Sequence, residues 1–135
     1  MDLERRNIVA GLLLIATGLF FGAFMSAARD FESIERWLRR PPVRSNQVMY
    51  AHAHLGVIGL TNIALGLVLP LASMTARRRT AISWTAVASG VLVPAGMILS
   101  LLPEPWEKLV YLQAGGFLLL LFATVGTAWS LRRAA

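Results

Sequence analysis

Charged residues are missing from four long stretches of this chain and crowd into the segments between them. Residues 7–28, 49–74, 80–102 and 109–131 contain no Asp, Glu, Lys or Arg. Each exceeds the ~20 residues that cross ~30 Å of hydrocarbon. Lipid offers no partner for backbone N–H and C=O groups, so each stretch reads as a helix. The pattern predicts an all-α fold: one four-helix transmembrane bundle over residues 1–135.

Shorter features punctuate the spans. Gly11, Gly18, Gly22 and Ala23 in the first span are small residues of the kind that let helices approach closely. After it, Phe31, Ile34, Trp37 and Leu38 fall on one side of a segment whose other side carries Glu32, Glu35, Arg36, Arg39 and Arg40. That segment reads either as a short helix in the headgroup region or as a solvated loop with a Trp anchor. Pro41-Pro42 ends it. Pro94, between Gly90 and Gly96, marks a place where the third span can bend. Pro103-Glu104-Pro105 reads as a tight turn, and Trp106 as an interfacial anchor.

Composition agrees with the pattern. The chain is 56% hydrophobic, with a mean hydropathy of +0.62. Only 15% of its residues are charged, against about a quarter in soluble domains. The net charge of +6 does not point to nucleic acid, because its location follows the spans. Four spans put Arg5, Arg6, Arg77, Arg78, Arg79, Arg132 and Arg133 on one side, and Arg29, Arg36, Arg39, Arg40, Arg44 and Lys108 on the other. The cluster Arg77–Arg79 is the tightest, which predicts a bacterial-type inner membrane protein with cytoplasmic termini. The partner implied by the charge is the lipid bilayer. The first span is too long for the apolar core of a cleavable signal peptide, so it is expected to stay. The absence of cysteine removes disulfides, iron–sulfur clusters and thiolate ligands.

Two histidines, His52 and His54, are the only ones in the chain, and both stand early in the second span. An ionisable group inside a membrane segment marks a functional site by default. Residues two apart point about 200° away from each other on a helix. The pair therefore does not hold one metal from one helix. The face of His52 carries Gly56, Gly59, Ile63 and Gly66; that of His54 carries Ile58, Thr61, Leu65 and Val68, with Asn62 between the two. Zinc needs three or four protein ligands, and the spans offer no carboxylate or thiolate. Haem needs one axial histidine and an apolar slot, which this span supplies. Gly56 and Gly59 leave room for a flat macrocycle beside the helix, and serve helix packing equally well. An interfacial histidine bonded to another helix or a headgroup is the non-catalytic alternative, stronger for His52.

Several elements resemble styrene oxide isomerase, a small four-helix membrane enzyme. They are Glu4-Arg5-Arg6, Gly11-Leu12-Leu13, Ile15, Leu19 and Phe21-Gly22, then Ala53-His54 with Gly56, Val68-Leu69-Pro70 and Thr75-Ala76-Arg77. The resemblance covers about the first three-fifths of the chain and needs a two-residue gap within the second span. It implies a homotrimer binding haem b, with ferric iron as Lewis acid on an epoxide oxygen and a carbonyl product. It makes His54 the axial ligand, with His52 as the alternative if the gap falls elsewhere. Asn62 is then the catalytic candidate, donating a hydrogen bond to the oxygen that develops charge. Two positions depart from the family pattern. The sixth residue after His54 is Leu60 rather than Asn, and the third span has no Tyr.

The run His52-Ala53-His54-Leu55 with Gly59, Ala64-Leu65 and Gly66 also resembles short membrane proteins related to haem–copper oxidase subunits. That alternative implies electron transfer or gas binding, and further histidines on another helix, which this chain lacks. A proton-coupled exporter fits the length but needs a carboxylate in a span, and none is present.

Overall fold

The computed structural model describes residues 2–28, 30–39, 42–100 and 106–132. Their helices are α1 (Leu3–Ala28), α2 (Glu32–Arg39), α3 (Pro42–Val68), α4 (Ala76–Leu99) and α5 (Val110–Arg132). Single 3-10 turns, Leu69–Leu71 and Trp106–Leu109, end α3 and introduce α5. Four of these helices are long and apolar enough to cross a membrane, over Arg5–Ala28, Val48–Leu71, Ala76–Leu99 and Tyr111–Arg132. The chain is a multi-pass membrane protein. The turn at Pro103-Glu104-Pro105 lies outside the described residues, as does the Trp106 side chain.

Local chemistry accounts for the helix boundaries. Pro42 opens α3, in a first-turn position where a missing N–H costs nothing. The helix therefore starts well before the charge-free stretch and takes in Arg44. Pro70 closes it within the 3-10 turn. Thr75 caps α4, its hydroxyl oxygen accepting from the Arg78 backbone N–H at 3.3 Å. Pro94 is buried inside α4, which continues as one helix on both sides of it. The segment after α1 is a helix rather than a loop: α2 seats Ile34 against Val48, which Phe21 and Met25 of α1 also cover.

Packing is pairwise. α1 lies along α3, α5 lies along α4, and the α3–α4 contact joins the two pairs. The α1–α3 pair rests on small residues, because apolar burial does not drive helices together in lipid. A Cβ on Gly59 would stand 2.8 Å from the Gly11 carbonyl oxygen and from Ile15 Cγ1. A Cβ on Gly96 would stand 2.6 Å from the Gln113 backbone nitrogen, a similar approach between α4 and α5. Apolar contacts fill the centre in two groups: Leu65, Leu69, Ile82, Ala86 and Ala123, and then Ala51, Ile58, Val93 and Met97. α3 and α5 both pack on α4 but touch each other only lightly.

Candidate functional site

His52 and His54 leave α3 in opposite directions, as their spacing requires. His52 turns to α1. Its Nδ1 lies 2.7 Å from the Gly18 carbonyl oxygen, and its ring fills the space above Gly22. A Cβ on Gly22 would fall 2.6 Å from His52 Cε1. Gly18 and Gly22, one turn apart on α1, therefore make the berth for this imidazole.

His54 turns to the seam between α3 and α5. Its Nδ1 lies 2.6 Å from the carbonyl oxygen of Tyr50, one turn earlier on the same helix. A carbonyl oxygen only accepts, so Nδ1 is the donor here, and in the neutral imidazole Nε2 carries the lone pair. A metal ion takes an unprotonated ring nitrogen, and a backbone carbonyl behind the other nitrogen is the usual support of a ligating histidine. The edge-to-face contact with Phe117 of α5, with centroids 5.2 Å apart and planes at 68°, holds the ring from the other side. Tyr50 and Val57, one turn either side of His54, are exposed. The site thus opens at the outer surface of the bundle and not in its interior. Among the described residues no group of three or more His, Cys, Asp or Glu comes together, so the donor set suits a cofactor asking for one imidazole.

The other sequence-derived candidates stand apart from His54. Gly59 is buried against α1. Gly56 has no heavy atom within 4 Å of a would-be Cβ, but it borders α1 rather than α5. Asn62 lies eight residues from His54, about 12 Å along the axis at 1.5 Å per residue. It is buried, and every polar atom of its amide is engaged. Asn7 Nδ2 donates to Asn62 Oδ1 at 3.3 Å. Asn62 Nδ2 donates to the carbonyl oxygens of Ile58 at 3.1 Å and Ala86 at 3.2 Å.

That amide ends a polar chain which sequence reasoning missed. Arg6 donates from Nη2 to Ser83 Oγ at 2.6 Å, and its guanidinium stacks 4.0 Å from the Trp84 ring centre. Ser83 Oγ in turn donates to Asn7 Oδ1. The sequence signal was available: Asn7, Asn62 and Ser83 are polar residues within charge-free spans. Only the packing shows that they meet, tying α1, α3 and α4 together near the ends that hold the Arg clusters.

Residues 3–110 match the family described as styrene oxide isomerase. The match runs through α4 to the first residue of α5, further than the elements legible by eye in the sequence. No curated protein and no solved structure matches the chain. With 108 consecutive positions covered, from the start of α1 to the start of α5, the chain belongs to the styrene oxide isomerase family.

Proposed function

We propose that this protein is a haem b-dependent isomerase that converts an apolar epoxide to an aldehyde, with His54 as the axial ligand. One observation carries this reading: both histidines bond a backbone carbonyl through Nδ1, but the His52 ring is packed against Gly22 of α1, whereas His54 stands at a seam bordered by the exposed Tyr50 and Val57. When bound, haem b supplies a ferric Lewis acid that polarises an epoxide oxygen. The chain's own residues do the rest. Tyr50 and Phe117 hold the imidazole in place from behind and from the side. The apolar residues around the seam keep water from a cationic carbon, which would otherwise be trapped as a diol. Tyr50 and Val57 beside the site are exposed and apolar in their bodies; in the homo-oligomer this reading implies, a neighbouring copy would cover them. Asn62 contributes from a distance, by fixing the α1–α3–α4 junction on which the lower half of α3 rests.

The test is direct. Protein purified from haem-replete cells is expected to show a Soret band, with a high-spin ferric haem because one strong ligand serves each subunit. His54→Ala should lose the band, while His52→Ala keeps it. Ferric protein given styrene oxide should release phenylacetaldehyde without added reductant, since isomerisation consumes no electrons. A colourless wild-type preparation would refute the reading. A low-spin, six-coordinate haem without turnover would favour the electron-transfer or gas-binding alternative.

A further inference from the structure

The outer face of α5 carries a groove. Leu118, Leu121, Phe122, Val125, Gly126 and Trp129 line it, and Arg78 of α4 stands at its head. Its volume is about 440 Å³, within the ~300–1,000 Å³ of small-molecule sites. The lining residues recur at three- and four-residue intervals, so they form one stripe along the helix. From Leu118 to Trp129 that stripe takes eleven residue steps, or about 16 Å at 1.5 Å per residue. Half of a ~30 Å hydrocarbon core is about 15 Å, so the groove is as long as one leaflet is deep. Leu118, Leu121, Phe122, Val125 and Trp129 are each more than half exposed. Gly126 supplies the notch beside Ile82.

The head of the groove differs chemically from its body. Arg78 is the third residue of its span, at the level of the lipid headgroups on the side of the described chain ends. Neither α4 nor α5 carries a carboxylate over its described length to neutralise it. A cation at headgroup depth above a leaflet-long apolar channel matches one class of molecule.

We propose that this groove binds an anionic phospholipid, its phosphate at Arg78 and one acyl chain along α5 towards the bilayer centre. A guanidinium pairs with a phosphate through two parallel N–H donors, which a zwitterionic headgroup partly neutralises with its own ammonium. The site therefore discriminates by headgroup charge and not by chain.

The full chain in detergent micelles doped with phosphatidylglycerol or phosphatidylcholine provides the test, with retained lipid read by native mass spectrometry. Wild type should keep phosphatidylglycerol over phosphatidylcholine by about fivefold, the scale of one Arg at an anionic surface. Arg78→Gln should abolish that preference, and Arg78→Lys should retain part of it. Leu121→Trp, which fills the channel without changing charge, should also abolish it. Arg132→Gln, an exposed cation at the same membrane level, should leave it intact. Equal retention of both lipids by wild type would overturn the proposal, as would an equal loss in Arg132→Gln, which would mean diffuse attraction. The chain has no cysteine, so Leu121→Cys introduces a single thiol. Its efficient cross-linking into dimers in phosphatidylglycerol liposomes would show a second copy on the groove and overturn the proposal too.

Discussion

The imidazole of His52 occupies the space that a side chain on Gly22 would need, and it donates to a carbonyl on the facing helix. His54 instead donates within its own helix and meets only Phe117 across the seam. The two residues should therefore fail in different ways when truncated. His52→Ala removes a hydrogen bond and opens a cavity between α1 and α3, at a cost of about 1–3 kcal/mol. It is expected to lower the unfolding temperature in detergent while the Soret absorbance per protein stays near wild type. His54→Ala should do the reverse, losing the haem with little change in the stability of the haem-free protein. A comparison of haem-free melting temperatures for both variants, beside their spectra, checks the division.

At the scale of helices, the α1–α3 contact depends on the absence of two methyl groups. Gly59 faces the Gly11 carbonyl so closely that a Cβ needs the backbones to move apart. Gly59→Ala should cost about 1–3 kcal/mol, the usual penalty for overpacking. Gly56, three residues earlier, has nothing within 4 Å of a would-be Cβ. Gly56→Ala should be neutral or stabilising by up to about 1 kcal/mol, since alanine loses less backbone freedom in a helix. Denaturant titration of the two variants in the same micelles reads the contrast. Unchanged haem content in Gly56→Ala would also separate that glycine from the cofactor, in keeping with its position on the α1 border. The pattern of small residues in α1 and α3 was visible in the sequence. Which of them touch was not, because glycine spacing alone does not say which neighbour fills the gap.

For the whole molecule, the polar chain from Arg6 through Ser83 and Asn7 to Asn62 is what fixes three helices in one register. In lipid, hydrogen bonds between helices average about 0.6 kcal/mol and reach about 1.7, but here several share one amide. Asn62→Leu removes both donors and the acceptor while keeping bulk, and leaves the buried Asn7 Nδ2 without its acceptor. It should destabilise the bundle by about 1–3 kcal/mol, measured by unfolding in detergent. Any loss of isomerase activity in that variant should track the loss of folded protein. A well-folded Asn62→Leu protein slowed by about 10²-fold would instead give the amide a direct role at a developing oxyanion.

Runs free of charge, each longer than the hydrocarbon is thick, were enough to determine four membrane helices, their order and their approximate limits. Backbone groups in lipid have no alternative to the helix, so composition alone decides the element. The 200° between residues two apart likewise determined that His52 and His54 serve different neighbours. The identity of those neighbours was beyond reach, because a span's apolar residues look alike whether they face lipid or another helix. Tertiary packing alone decided that His52 belongs to α1 and His54 to α5. It also decided that the amide of Asn62, expected to donate to the oxygen that develops charge, bonds with Asn7, Ile58 and Ala86, about 12 Å along the axis from His54. Local periodicity encodes direction around a helix axis, whereas the choice of partner is set by close approach between backbones far apart in the chain.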